Sequence, residues 1–316
     1  MLVHRVFWNP DVRRVRAVWR LLAQFTLRLV LLICAGAAAS WLIEHAADDE
    51  GVRDVLGSVA RTIVEPLAAF VSVALVGRSL DGRGLRSFGL RIDREWLADC
   101  AFGLILGALL VAGVFTTLLA AGWIELRSAS DANPSLLPIA LVLVLSAFRC
   151  VSNGFEEELG DRAYLLRNAM EGLRSRIVGH RAAALVALVL VSLFFGLGHS
   201  RGEYASWLST LNLAFLGVLL GISYLTTGQL GIAIGIHTTW NFFQGSVFGF
   251  AVSGEPPAAS LIGVAPTGSP LVTGGAFGVE ASVLCLPAIA IGIVLTLAWV
   301  RWRRRGLSIV VPSVGP

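Results

Sequence analysis

Eight separated apolar runs, at residues 21–43, 58–77, 98–121, 136–160, 182–200, 206–225, 230–252 and 282–300, dominate this 316-residue chain. Each is close to the roughly 20 residues a helix needs to cross a bilayer. Backbone in hydrocarbon must satisfy its own hydrogen bonds, so the runs are predicted to be helices. The predicted fold is therefore all-α, a polytopic membrane protein built as a bundle of about eight transmembrane helices. Composition agrees: 56% of residues are hydrophobic and 15% charged, outside the range of soluble domains. The run at 58–77 is the weakest, because it carries Arg61, Glu65 and Pro66; Arg61 and Glu65 stand four apart and can pair on one helix face.

All 25 basic residues are arginine, a bias that fits a GC-rich bacterial genome. Arg5, Arg13, Arg14, Arg16 and Arg20 precede the first run, and Arg301, Arg303, Arg304 and Arg305 follow the last. By the positive-inside rule both termini are expected to be cytoplasmic, which requires an even number of crossings of a bacterial plasma membrane. The connections holding Arg78, Arg83, Arg86, Arg91 and Arg94, and Arg167, Arg174, Arg176 and Arg181, agree. So do the acidic connection Asp48, Asp49, Glu50 and Asp54, and the arginine-free 253–281 loop. The net charge of +4 thus reports topology and lipid contact, with no nucleic-acid partner expected. The first run lacks a small-residue cleavage site and reads as a retained helix.

Cys34, Cys100, Cys150 and Cys285 lie in separate apolar segments, so neither a disulfide framework nor a zinc ribbon is expected. The Gly/Pro-rich 253–281 loop predicts an irregular extracytoplasmic connection with a re-entrant piece around Phe277–Ser282. The expected division is 1–95, N-terminal helices and basic loop; 96–252, the core; and 253–316, the loop, last helix and basic tail.

Ionisable side chains inside a bilayer are costly unless they pair or line a wet cavity, so the few that remain are candidate functional groups. Three segments hold nearly all of them. At the end of the fourth run, Glu157 and Glu158 point about 100° apart on a helix and must do different jobs. Glu158 can pair with Arg162 one turn on, leaving Glu157 to face a cavity as a general base. His199 closes the fifth run, and a hairpin turning near residue 178 would bring it to the depth of Glu157. His237 and Asn241, four apart in the seventh run, share one helix face. Each segment also has a bland reading, as interfacial charge or interhelical hydrogen bonding. A carboxylate and two imidazoles from three helices can activate water for hydrolysis, with or without a metal.

Glu157-Glu158-xxx-Arg162, Phe195-xxx-His199 and His237-xxx-Asn241, in that order on separate spans, resemble the three motifs of the CPBP family of intramembrane proteases, which includes the type II CAAX prenyl endopeptidases and bacteriocin-processing or self-immunity proteins. The resemblance covers roughly 96–252, with a similar Gly-rich segment near Gly274–Ser282. It implies an endopeptidase that cleaves a membrane-associated protein or peptide. Glu157 and His199 would polarise the attacking water, His237 and Asn241 would stabilise the oxyanion or help hold a metal, and Glu158 with Arg162 would organise the site. Glu157, His199 and His237 suit Zn2+ as ligands, while Asn241 equally suits a metal-free oxyanion hole. The chain departs from the pattern at Asp161, where a large apolar residue is usual, and at Ala163, where glycine is common. Asp161 is expected one turn beyond Glu157, adding charge to its face. The alternatives are a non-proteolytic immunity or scaffold protein on the same fold, and an ion-coupled transporter, which the absence of an internal repeat disfavours.

Overall fold

A computed structural model of the chain describes residues 6–9, 13–127, 137–175 and 177–310. Arg5 and Arg176, used above for topology, and Leu136, the first residue of the fourth run, lie outside them. In chain order the helices are α1 (Ala17–Ala46), α2 (Glu50–Ser79), α3 (Arg94–Ala120) and α4 (Ile139–Glu157), which continues through a π-helical stretch, Glu158–Leu166, into α5 (Arg167–Leu173). Then follow α6 (His180–Gly198), α7 (Trp207–Thr227), α8 (Gly231–Phe242) with a π-helical end at Phe243–Val247, the short α9 (Pro270–Thr273) and α10 (Cys285–Arg304). Two antiparallel ribbons, β1 (Trp8–Asn9) with β2 (Arg14–Val15) and β3 (Ile124–Arg127) with β4 (Gly263–Pro266), tie connecting segments together. The chain is an all-α integral membrane protein.

Among the described residues, seven helices are long and apolar enough to span a bilayer, with α4, the π stretch and α5 forming one rod. Two expected boundaries need correction. The run at 230–252 stops being helical at Val247, because the backbone turns at Gly249, whose φ is +72°. This eighth helix is buried along most of α8, so its neighbours cover what lipid would otherwise meet. The run at 136–160 continues in the opposite sense, past Glu157 to Leu173, because its polar residues pair within the protein. A third correction concerns Arg61 and Glu65, which do not pair: Glu65 instead binds Arg149 of α4.

Local sequence explains several helix ends. Asp49 and Asp93 cap α2 and α3, their carboxylates accepting from the backbone N–H of Val52 and of Trp96, each at 2.9 Å. Ser206 opens α7 with a reciprocal capping box to Ser209, and Gly228 closes it with φ +66°. Helices α3 and α8 pack tightly against each other through two small-xxx-small stripes, Gly103/Gly107 and Gly231/Gly235. A Cβ at Gly103 would sit 2.3 Å from the Ile232 carbonyl oxygen, so only glycine permits this approach. Inside the bundle, α7 and α8 carry much of the core, including Leu216, Leu219, Leu220, Ile232, Ile236 and Trp240.

The alternating helices give the bundle two chemically different ends. One gathers the start of α1, the α2–α3 connection, α5, the α7–α8 turn and the end of α10. It is held by Arg20 bridging Asp81 and Glu171, by the Leu230 N–H donating to the Gly89 carbonyl, and by Arg304 donating to the Thr227 carbonyl. The other end gathers the α1–α2 turn, the α3–α4, α6–α7 and α8–α10 connections. There β3 pairs with β4, and the Asn212 side chain of α7 donates to the Glu280 and Ser282 carbonyls, each at 2.8 Å.

Candidate active site

The rod formed by α4 and the π stretch changes helical register between Glu157 and Glu158. π-helical insertions of this kind recur at functional sites. One turn earlier, Gly154 lets α4 approach α8: a Cβ there would lie 2.8 Å from Thr238 Oγ1. This close crossing brings the two glutamates beside His237.

The two carboxylates then diverge. Glu158 is fully buried; one of its oxygens accepts a 2.9 Å hydrogen bond from His237 Nδ1 and lies 3.2 Å from Arg162. The buried Arg162 guanidinium sits over the Phe195 ring, 4.3 Å from its centroid. Glu157 faces a cavity of about 1020 Å³, and its Oε2 is buried without a hydrogen-bond partner, 3.8 Å from His237 Nε2. His199, His237 and Asn241 line the same cavity. Four of the candidate residues thus surround one space, while Glu158 and Arg162 stand behind it.

Phe195 links the two imidazoles. Its ring centroid is 4.9 Å from that of His199 and, edge-on, 6.1 Å from that of His237. Its carbonyl lies 2.8 Å from His199 Nδ1. A carbonyl only accepts, so Nδ1 bears a hydrogen, and the tautomer this selects is the one whose Nε2 can accept. His237 Nδ1 likewise donates to Glu158, so its Nε2 is the nitrogen turned toward Glu157.

Asp161 does not share the face of Glu157. It does not line the cavity, and its carboxylate lies 3.5 Å from Arg162. A π turn takes more residues than an α turn, so a residue four positions on falls short of the same face. Ala163 is fully buried. Among the described residues no three His, Cys, Asp or Glu side chains are grouped as metal ligands. Glu157, His199 and His237 line one cavity without converging on one point, so as arranged they do not fit a zinc ion.

One buried acidic residue of the cavity is not marked by any sequence motif. Glu280, in a 3-10 turn of the α8–α10 loop, is 2% exposed and lines the cavity. Its carboxylate accepts from the Ser253 N–H at 2.6 Å and the Ser253 hydroxyl at 3.2 Å. Burial pushes this carboxyl above the ordinary glutamate value, against the Ser253 N–H and the nearby His199. The signal was present as the single acid inside the piece Phe277–Ser282, expected to be re-entrant.

Residues 138–243 match the Rce1-like family model, described as type II CAAX prenyl endopeptidase Rce1-like. No curated protein and no solved structure matches the chain. The matched segment runs from the residue before α4 to the π-helical end of α8, and so contains all three motifs. Over that segment, about a third of its length, the chain is similar to the Rce1-like family of type II CAAX prenyl endopeptidases, which supports the fold of a CAAX-type intramembrane protease.

Proposed function

We propose that the protein is an intramembrane endopeptidase that cleaves a peptide bond of a membrane-associated protein or peptide, using water activated by Glu157 and His199. The supporting observation is the convergence of Glu157, His199, His237 and Asn241 on one cavity between membrane helices. In this reading the orphaned Oε2 of Glu157 takes a proton from water, while His199 Nε2 accepts the other hydrogen and orients the lone pair. The oxygen adds to the scissile carbonyl. The resulting oxyanion is held by the Asn241 amide and by His237, which donates from Nε2 as an imidazolium anchored on Glu158. Collapse of the tetrahedral species breaks the C–N bond, and the proton held on Glu157 passes to the leaving amine. Glu158 and Arg162 are positioning residues: they fix the His237 ring and touch no reacting atom.

The experiment is cleavage of a membrane-anchored reporter peptide by purified wild type, Glu157→Ala and His199→Ala, each checked for folding by thermal unfolding. Loss of cleavage in both variants, with unfolding midpoints near that of wild type, supports the reading. Full activity in either variant sinks it and favours a scaffold or immunity role.

A further inference from the structure

The cavity has a side. Its wall is built from Asp54 and Ser58 at the start of α2, Leu137 before α4, Gly198 and Gly202 around the end of α6, Pro256 of the α8–α10 loop, and the residues that reach it from mid-helix. All of the connecting segments on that wall belong to the end of the bundle where β3 pairs with β4. No residue of the α2–α3 connection, of α5, of the α7–α8 turn or of the last turn of α10 lines it.

The two ends differ in charge in the way a membrane reads. Outside its buried ion pairs, the end away from the cavity carries Arg13, Arg16, Arg78, Arg86, Arg91, Arg94, Arg174, Arg181, Arg301, Arg303 and Arg305 against Asp93 and Glu95 in or beside its connections. The cavity end carries Asp48, Asp49, Glu50, Asp54, Glu125, Glu203 and Glu255 against Arg53, Arg127 and Arg201. Short loops rich in arginine stay in the cytoplasm. We infer that the cavity opens at the extracytoplasmic face, and that its substrate is a membrane-anchored polypeptide whose scissile segment lies on that side. A lipidated C-terminus made and held in the cytoplasm would meet the closed end of the bundle. Reaching Glu157 from there would mean carrying polar backbone through the packed helices or the hydrocarbon. The identity of the ligand as a scissile peptide rests on the endopeptidase reading; the side on which the cavity opens does not.

The test has two arms. In the first, Ala258→Cys, on the exposed rim of the cavity, and Gly306→Cys, just past α10, are placed separately in a Cys150→Ala background, since Cys150 itself lines the cavity. A membrane-impermeant maleimide is applied to right-side-out and inside-out membrane vesicles. The inference expects Cys at 258 to label only in right-side-out vesicles and Cys at 306 only in inside-out ones; the reverse pattern overturns it. In the second arm, unsubstituted protein is mixed in vesicles with transmembrane reporters carrying the same sequence at either the extracytoplasmic or the cytoplasmic boundary. Cleavage confined to the extracytoplasmic reporter is expected, and cleavage of the cytoplasmic one overturns the assignment of substrate. If the expected labelling is accompanied by cleavage of neither reporter, the endopeptidase reading and its substrate fall while the side of the cavity stands.

Discussion

The adjacent glutamates should separate stability from activity when each is removed. Glu158→Ala deletes the acceptor of the His237 Nδ1–H and the carboxylate 3.2 Å from Arg162, a guanidinium only 1% exposed. Breaking a buried pair by removing one partner leaves an uncompensated charge, at a cost of about 3–5 kcal/mol. For a chain of this size that lowers the unfolding midpoint by on the order of 10 °C. Glu158→Gln keeps an acceptor for His237 and should fall between Glu158→Ala and wild type. Glu157 makes no hydrogen bond through its Oε2 and its side chain is 22% exposed to the cavity, so Glu157→Gln should change stability by only about 0.5 kcal/mol. The assay is thermal unfolding in detergent followed by circular dichroism, with reporter cleavage measured on the same preparations. A Glu158→Ala midpoint within about 2 °C of wild type, less than 1 kcal/mol on this scale, would refute the buried-pair argument.

Gly235→Ala would drive a Cβ to 2.4 Å from the Cys100 carbonyl oxygen on α3, and Gly103→Ala one to 2.3 Å from that of Ile232 on α8. Backbone cannot step aside, so each should cost about 1–3 kcal/mol, read as a lowered unfolding midpoint. Ser206→Ala removes the α7 capping box and should cost about 1 kcal/mol in the same measurement. Because the folded protein holds the Glu280 proton more tightly than the unfolded chain, the contribution of this group to stability is full below its unfolded value of about 4.3 and is lost as pH rises through the folded value. Glu280→Gln should therefore flatten the fall of the unfolding midpoint with rising pH across that interval; an unchanged slope would contradict it. Cleavage through the chain's own residues should survive chelator treatment, and loss of activity restored by zinc would overturn that step.

The apolar runs made the membrane bundle legible, because about 20 uninterrupted apolar residues have few other stable uses. What they concealed is where helices end when protein rather than lipid surrounds them. The fourth run looked finished at Asp161 and Arg162, yet the rod continues to Leu173 on buried ion pairs with α1 and the α2–α3 connection, partners far away in sequence. Arg61 and Glu65 had the spacing of a helical pair, but Glu65 found Arg149 on a neighbouring helix, which no local pattern shows. The π stretch is equally silent in sequence, and it explains why Asp161 left the face assigned to it. The candidate site was legible because polar groups are rare in these spans. Glu280 was missed because it sits in a loop, where an acid attracts no notice until burial is known.

The proposed reaction depends on Glu157 activating water in the cavity. The most direct measurement is the single-turnover rate of reporter cleavage by wild type and by Glu157→Gln, in preparations with matching unfolding midpoints. The expected result is a loss of about 10²- to 10⁴-fold, the range of a general base removed without disturbing the fold. A Glu157→Gln rate equal to that of wild type would contradict it.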